Sequence, residues 1–182
     1  LLAESLAVQF ADAGYKITYL NSERKLDLDY LDFLYREEKI RNRVELILSR
    51  MFAKSIKFIK KENQIIPMVI NKARNVEYSL QEDECHGFKK ILSLLLALYN
   101  PKNQCLIIDE PELHLHPQFQ VFFMSEIRRV SRDYPDRIFF LISHSPFFID
   151  LVYPEDLIGV VVCHVNREPT FIEHFSKKDD IL

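Results

Sequence analysis

Continuous apolar runs alternate with helical patterns in the C-terminal half of the chain. Runs of the kind expected for fully buried strands occur at 104–109 and 137–143. The segment 87–100 is apolar nearly all round, which predicts a buried helix, and Pro117 stands where the first turn of a further helix tolerates proline. Because buried strands that alternate with helices favour a parallel sheet covered on both faces, the pattern predicts an α/β fold.

The N-terminal half has other periodicities. Residues 1–13 carry apolar side chains at helical spacing, Gly14 follows as a left-handed cap, and 15–20 has the pattern of a strand. The charged segment 29–52 carries an apolar stripe, which predicts one long helix. Two apolar runs around a short polar turn predict a β-hairpin, in which Pro67 favours an edge position.

Composition limits the class of protein. The chain has 182 residues, of which 48% are hydrophobic and 28% charged, as expected for one globular domain. Its net charge of −3 does not favour a general nucleic-acid binder. The longest apolar stretch is too short to span a membrane. Three widely spaced cysteines and the lack of a leader pattern favour a cytoplasmic location without disulfides.

Polar side chains follow the two predicted buried strands. Asp109 and Glu110 end the first, and Ser143 and His144 end the second. Because ligands of open parallel sheets bind beyond the carboxyl ends of the strands, both pairs are expected on the same rim. Such an Asp can hold Mg²⁺, the adjacent Glu can polarise a water molecule, and a His opposite can contact a terminal phosphate.

The segments "CLIIDEPELHLHPQFQ" and "FFLISHSPFFID" together resemble the C-terminal half of an ABC-class P-loop ATPase of the SMC-like and OLD-nuclease-like branch. The resemblance covers roughly residues 76–165. It implies ATP and Mg²⁺ as ligands, with Asp109 as the Walker B aspartate that positions the metal. It further implies that Glu110 is the catalytic glutamate and His144 the switch histidine. The stretch 111–117 falls where the D-loop of this family contacts a second subunit.

The family also carries a signature loop, typically Leu-Ser-x-Gly, before a helix. The matching place here is "ECHGFKKILSLLLAL", in which Gly87 matches the glycine and Cys85 stands where serine is expected. Glu84 would repel phosphate if it pointed inward. Cys85, His86 and Gly87 are therefore the nucleotide-contacting residues that the resemblance implies. An ordinary buried helix that starts at a glycine is the alternative.

No G-x-x-x-x-G-K-[ST] motif occurs in the chain, which has only three glycines. The opening helix, cap and strand are what would follow a P-loop, although a generic amphipathic helix explains the first of these equally well. We therefore expect one ATPase domain over 1–182, incomplete at its N-terminus and lacking Walker A. Within it we expect a helical and hairpin insertion at 29–75. The signature, Walker B and switch-histidine half is expected at 76–182.

The resemblance implies a homodimer or higher oligomer that encloses ATP between subunits. It also implies action beside a protein effector, such as a nuclease or toxin, in DNA repair or antiphage defence. No membrane contact is expected, because the apolar runs are too short to span one. DNA or RNA phosphates could contact a basic edge formed by Lys54, Lys57, Lys60 and Lys61. The alternative is that these lysines only keep an edge strand solvated. Arg24 is expected either near the nucleotide or in a surface salt bridge.

Two other functions remain open. One is an ATP-binding scaffold that does not hydrolyse the nucleotide, which the altered signature loop favours. The other is a metal-dependent hydrolase or nuclease, since enough zinc or manganese ligands are present. These ligands would be Asp109, Glu110, Glu112, His114, His116 and His144.

Overall fold

The computed structural model describes residues 8, 11–12, 14, 16–26, 28–62, 64–148, 160–162 and 170–172. The chain divides into two compact units, 1–144 and 145–182. The single ATPase domain with an insertion at 29–75 stays a prediction. None of the described helices is both long and apolar enough to cross a membrane.

Strands and helices alternate along the first unit. In chain order its described elements are β1 (Ile17–Leu20), α1 (Leu28–Arg36), α2 (Glu38–Phe52), β2 (Lys54–Lys61), β3 (Gln64–Asn71), β4 (Val76–Ser79), α3 (His86–Tyr99), β5 (Cys105–Asp109), α4 (Pro117–Asp133) and β6 (Ile138–Ile142). Those of the second unit are a 3-10 turn (Pro146–Phe148) and an antiparallel pair, β7 (Val160–Val162) and β8 (Thr170–Ile172).

The chain enters β1 through a left-handed glycine. Residues 8, 11 and 12 are helical, and the rest of the helix predicted at 1–13 lies outside the described residues. Gly14 has a φ of 85°, and its N–H donates to the carbonyl of Ala11 at 2.9 Å. The predicted C-terminal cap is therefore confirmed, at a backbone conformation that glycine adopts without strain.

β1, β5 and β6 form a parallel sheet with β5 in the middle. The register places Leu20 beside Ile108 and Asp109 beside Ile142, so the three strands end together at one edge, the carboxyl rim. Cys105 to Ile108 are completely buried. Because successive side chains of a strand point to opposite faces, both faces of β5 are covered. The α/β fold with a parallel sheet flanked by helices is confirmed.

β6 is less buried than its apolar sequence predicts. All five of its residues are half-buried, although the run 137–143 predicts a fully buried strand. Within the described part of the chain β6 pairs with β5 alone, so one of its edges has no neighbouring strand. An apolar run of β-branched and aromatic residues thus marks a strand without fixing its burial.

Two helices replace the single one predicted at 29–52. The break falls at Glu37, whose φ of −91° and ψ of 88° are not helical. Completely buried residues stop at Leu34 and resume at Val44, with four consecutive charged residues between them. A helix with one continuous buried face needs an apolar side chain every three or four residues, so the interrupted stripe favours two shorter helices.

β2, β3 and β4 form an antiparallel sheet, which confirms the hairpin. Pro67 lies in β3, the middle strand, so the edge position predicted for it is wrong. Its carbonyl accepts a hydrogen bond from the N–H of Leu80, just beyond the end of β4, at 3.2 Å. Because the N and O of one residue face the same neighbour in an antiparallel ladder, the missing N–H of proline falls where pairing with β4 has already ended.

α3 packs into a hydrophobic core cluster of the first unit. Phe88, Leu92 and Leu96 are completely buried in a cluster with apolar residues of α1, α2, β2 and β3. Burial of each side chain of this size stabilises the fold by about 1.5–3 kcal/mol. The elements that precede α3 in the chain therefore fix the position of the helix that begins at the predicted signature loop.

Candidate functional site

The carboxyl rim brings together the residues that end β5 and β6. The N–H of Glu110 donates to the carbonyl of Ile142 at 2.8 Å, which continues the pairing of the two strands beyond Asp109. Ser143 and His144 follow directly on the neighbouring strand. Asp109 and Glu110 are half-buried, whereas His144 is exposed. Side chains far apart in sequence thus share one edge, as the parallel arrangement predicts.

Glu112 joins the loop after β5 to the loop after β6. Its Oε2 accepts a hydrogen bond from Ser143 Oγ at 2.7 Å, and its Oε1 accepts one from the backbone N–H of His144 at 2.8 Å. Hydrogen bonds to a charged acceptor are stronger than those between neutral groups. Glu112 therefore links the two loops through hydrogen bonds, a role that the sequence does not indicate.

β1 adds a hydroxyl to the carboxyl rim. Tyr19 Oη donates to Asp109 Oδ2 at 3.1 Å. This bond orients the carboxylate by one of its two oxygens. The pairing follows from the parallel register of β1 beside β5, and nothing in the local sequence around Tyr19 points to it.

Arg24 supports the loop after β5 from inside the protein. Its Nη1 donates to the carbonyls of Asp109 and Glu110, both at 3.2 Å. Its Nη2 donates to the carbonyls of Glu110 at 3.2 Å and Pro111 at 3.0 Å. Only 4% of Arg24 is exposed. The expected surface salt bridge is therefore wrong, because the guanidinium is directed at backbone carbonyls beneath the rim.

The charge of Arg24 persists despite its burial. Burial lowers its pKa to about 10, while the neighbouring charges of Glu112, Asp109 and Glu110 act in the opposite direction. The guanidinium is therefore protonated at neutral pH. It places a fixed positive charge beneath three carboxylates.

The loop after β5 has two residues in the left-handed region. Glu110 has a φ of 45° and His114 a φ of 65°. This conformation costs a residue with a Cβ about 1–2 kcal/mol, so the contacts around it must hold it in place. At Glu110 these contacts are the bond to Ile142 and the two bonds from Arg24.

The segment 84–87, called the signature segment below, spans the start of α3. Glu84 does not point towards the rim as a free charge. Lys54 Nζ donates to both of its oxygens, at 2.8 and 2.7 Å, and Tyr78 Oη donates to Oε2 at 2.7 Å. The negative charge that the sequence places beside the predicted phosphate site is therefore neutralised by β2.

The pKa of Glu84 reflects this ion pair. Burial raises it, but the hydrogen bonds from Lys54, Tyr78 and the backbone N–H of Cys85 act against burial and leave it below its ordinary value. Glu84 is thus ionised at neutral pH. The 2.8 Å bond from the Cys85 N–H also fixes the backbone one residue before α3 begins.

Cys85, His86 and Gly87 remain at the surface where α3 begins. Cys85 and His86 are exposed, and Cys85 occupies the N-cap position without a side-chain capping hydrogen bond. A Cβ built on Gly87 would lie 3.2 Å from the carbonyl oxygen of His114. The imidazole rings of His86 and His114 are 6.4 Å apart. The signature segment and the segment 111–117 therefore lie against each other.

His116 has a local structural role. It is the N-cap of α4, and its Nδ1 accepts a hydrogen bond from the backbone N–H of Gln118 at 3.4 Å. Pro117 follows at the first position of the helix, as predicted. A contact of His114 and His116 with a second subunit stays a prediction.

The donor set fits Mg²⁺ better than a structural zinc ion. Among the described residues no group of three or more His, Cys, Asp and Glu side chains converges on one point. Mg²⁺ is usually held by one or two carboxylates together with water and substrate phosphates, and a half-buried Asp109 at the strand end meets that requirement. The six candidate zinc or manganese ligands therefore do not form a three-ligand cluster within the described part of the chain.

Comparison with known proteins agrees with this architecture. Residues 12–150 match the family model described as "AAA domain, putative AbiEii toxin, Type IV TA system". A relative from Methanocaldococcus jannaschii, "Uncharacterized protein MJECL43", is 26% identical over 106 residues. The match covers 54% of this chain and 26% of that protein, so the chain spans about a quarter of its relative's length.

Two solved structures have a similar fold. One is described as "Structural biochemistry of ATP-driven dimerization and DNA stimulated activation of SMC ATPases". It is 13% identical, with a TM-score of 0.54, and the match covers 79% of this chain and 88% of that one. The other is an "SmcHead bound to the C-winged helix domain of ScpA", with 13% identity, a TM-score of 0.59 and coverage of 82% and 46%. At this identity the likeness shows the fold alone. The family match extends over most of the chain, which therefore belongs to the AAA-domain family of that description and has the P-loop NTPase fold of SMC ATPase heads.

Proposed function

We propose that this chain binds and hydrolyses ATP as an ABC-class ATPase of the SMC-like and OLD-nuclease-like branch. The observation that carries the proposal is the carboxyl rim. There Asp109 ends β5 and Glu110 follows it, and the Glu112 carboxylate holds His144 at the same edge by accepting a hydrogen bond from the His144 backbone N–H at 2.8 Å. A metal ligand, a general base and a phosphate contact are the groups that ATP hydrolysis requires at such an edge.

Asp109 is the residue that would hold Mg²⁺. The hydroxyl of Tyr19 orients its carboxylate from one side through Oδ2. When bound, Mg²⁺ supplies positive charge against the β- and γ-phosphates. Sites of this kind keep several water molecules on the metal, so one protein carboxylate is sufficient.

Glu110 would accept a proton from the attacking water. Its backbone is held in the left-handed conformation, which directs a side chain differently from the strand residues before it. A half-buried carboxylate at the end of a strand is placed to polarise a water molecule. Its neighbour Asp109 has a separate task, so the pair is not a single metal cluster.

His144 would contact the terminal phosphate as charge develops there. Its side chain is exposed at the rim, while its backbone N–H is fixed to Glu112. A donor that is positioned before the reaction stabilises developing charge without reorganisation. We propose that Glu112 supplies this positioning.

The signature segment would meet ATP bound to a second subunit. Cys85, His86 and Gly87 lie at the N-terminus of α3, where backbone N–H groups favour an anion. The ion pair of Glu84 with Lys54 removes the expected repulsion of phosphate. A homodimer or higher oligomer that encloses ATP between subunits makes use of this exposed segment, and ATP-driven dimerization is named for one SMC ATPase structure of similar fold.

The ATPase would serve as a motor, sensor or scaffold for a protein effector in DNA repair or antiphage defence. The family description names a toxin of a type IV toxin–antitoxin system, and one SMC head carries a bound partner domain. The first description supports a link to a toxin system and the second supports a protein partner, whereas a nuclease effector is implied by the sequence resemblance alone. DNA or RNA contact at β2 is less favoured, because Lys54 and Lys57 are paired with Glu84 and Glu77.

ATP turnover by the full-length protein, with and without Glu110→Gln, tests the proposal. The G-x-x-x-x-G-K-[ST] motif is not within these 182 residues, so the assay needs the full-length protein. We expect the substitution to lower kcat by about 10²–10⁴-fold and to leave nucleotide binding intact. Nucleotide binding with equal, negligible turnover in both proteins would instead identify a non-hydrolysing scaffold.

A further inference from the structure

Arg24 makes four hydrogen bonds with three consecutive carbonyls. The acceptors belong to Asp109, Glu110 and Pro111, at 3.0–3.2 Å. A guanidinium presents its N–H groups in a rigid planar fork, so it fixes the relative directions of the carbonyls that it binds. An ammonium group at the same place is a point charge and does not impose such a fixed geometry.

The three carbonyls need a cation of this shape. They point towards one place because Glu110 departs from strand geometry with a φ of 45°. Converging carbonyl dipoles repel one another unless a positive charge lies between them. Arg24 supplies that charge from within the protein, where it is 4% exposed. The contact therefore belongs to the support of the loop and is separate from the solvent-facing surface of the rim.

A second buried cation lies behind Arg24. Lys90, in the second turn of α3, donates to the carbonyls of Ser22 at 3.2 Å, Arg24 at 3.1 Å, and also Glu23. Lys90 is 9% exposed. Burial lowers its pKa, and the neighbouring Arg24 cation lowers it further. Two like charges are thus kept close together, each bound to a row of backbone carbonyls.

We infer that Arg24 is a positioning residue for Glu110 and that Lys90 couples this position to α3. The inference rests on the proposed ATP hydrolysis, in which Glu110 activates water. Lys90 holds the loop that carries Arg24, and Arg24 holds the loop that carries Glu110. A shift of α3 therefore changes the position of Glu110 through two successive sets of hydrogen bonds, those of Lys90 and those of Arg24. This coupling does not require Arg24 to contact ATP.

Arg24→Met in the full-length protein is the principal variant, with Arg137→Met as its matched control. Arg137 is half-buried and, like Arg24, donates to backbone carbonyls, those of Asn103 and Leu98, both at 2.8 Å. Burial lowers its pKa as well. It lies at the opposite end of the sheet, so its loss affects stability without reaching the rim.

Amide hydrogen exchange over 109–115 and ATP kinetics are the two measurements. With Arg24→Met we expect exchange in this segment to accelerate at least about ten-fold relative to Arg137→Met, because the loop has lost its cation. We also expect kcat to fall about ten- to a hundred-fold while the Kd for ATP stays within about three-fold. Arg24→Lys should give intermediate values in both measurements.

The exchange experiment separates this inference from the proposed function. If the wild-type protein does not hydrolyse ATP, the proposed function fails, and exchange over 109–115 still decides whether Arg24 holds Glu110. Equal exchange in Arg24→Met and Arg137→Met would overturn the inference, as would a loss of ATP affinity in place of kcat. If Arg24→Met does not fold, Arg24→Lys against Arg137→Lys provides the same comparison.

Discussion

The carboxylate of Glu112 accepts a hydrogen bond from the backbone N–H of His144 at 2.8 Å. Glu112 belongs to the loop that follows β5, and His144 to the one that follows β6. The same carboxylate also accepts a bond from Ser143 Oγ at 2.7 Å. The loop that carries Glu110 and the loop that carries His144 are therefore held together by one side chain.

Glu112→Ala should impair ATP turnover more than it impairs folding. Loss of both acceptors frees the backbone of His144, and a displacement of about 1 Å at a catalytic group costs up to about 10²-fold in rate. We expect kcat to fall at least about ten-fold, with an unchanged Kd for ATP. Glu112→Gln should recover much of the loss, because its amide accepts from His144 N–H through oxygen and faces Ser143 Oγ with nitrogen.

Glu77→Ala is the control for a lost glutamate. Glu77 forms an exposed ion pair with Lys57 at 3.2 Å, and such pairs contribute about 0–1 kcal/mol. Its turnover should match that of the wild-type protein. Equal kcat in Glu112→Ala and Glu77→Ala would exclude a role for Glu112 in positioning His144.

Local sequence patterns predict which residues lie at the carboxyl rim. They do not predict the side chains that hold the rim in place, Arg24 and Glu112. Apolar runs that alternate with helices predict a parallel sheet, and parallel strands bring Asp109 and His144 to one edge without any further information. Arg24 and Glu112 act through contacts 31 to 87 residues away in sequence. Their side-chain types are compatible with surface positions, so only the folded chain identifies the carbonyls and N–H groups that they bind.

The two differences between the predicted and the observed helices and strands have a common physical origin. One apolar stripe predicts one helix at 29–52, but the charged run near Glu37 breaks the stripe. Pro67 predicts an edge strand, but β4 is too short to need its N–H. In both cases the average preference of a residue type predicts one structure, whereas its neighbours in space decide another.

Cys85→Ser should stabilise the first unit. Cys85 is the exposed N-cap of α3 and makes no side-chain capping hydrogen bond, whereas serine is among the preferred N-cap residues. We expect the free energy of unfolding in urea to rise by about 0.5–1 kcal/mol. Cys85→Ala removes the same thiol without adding an acceptor, so the free energy of unfolding should not rise in this variant. A gain in both variants would show that loss of the thiol, and not capping, is responsible.

Gly87→Ala should affect turnover and leave stability nearly unchanged. Alanine favours a helix over glycine by about 1 kcal/mol, but its Cβ would lie 3.2 Å from the carbonyl oxygen of His114. The two effects oppose each other, so we expect a change in unfolding free energy below about 1 kcal/mol. Because the segment 111–117 must shift to make room, we expect kcat to fall several-fold.

Gly87→Val extends this test. Its larger side chain removes the helical advantage and increases the clash, so both stability and kcat should fall below those of Gly87→Ala. A stabilised Gly87→Ala with full activity would show that the signature segment and the segment 111–117 do not need their close approach.

Lys54→Met should destabilise the fold strongly at neutral pH. It removes the partner of Glu84, whose side chain is only 2% exposed. Breaking a buried pair at one side costs about 3–5 kcal/mol, because the remaining charge has lost its compensation. Lys57→Met on the same strand breaks an exposed pair and should cost less than about 1 kcal/mol. Urea unfolding of the two variants gives the comparison.

The pH dependence of this loss tests whether Glu84 is its source. In the wild-type protein burial raises the pKa of Glu84, but the bonds from Lys54 and Tyr78 hold it below its ordinary value. Its contribution to stability is therefore present above the unfolded pKa, near 4.3, and is lost as pH falls through the lower folded value. Without Lys54, burial dominates and Glu84 becomes neutral as the solution is acidified.

The difference in unfolding free energy between wild type and Lys54→Met should thus be largest at pH 7 and shrink towards pH 4. The double variant Lys54→Met/Glu84→Gln should recover stability at pH 7. A difference that is constant with pH would assign the loss to packing of the lysine stem against Phe88, over whose ring the Lys54 ammonium lies at 5.0 Å.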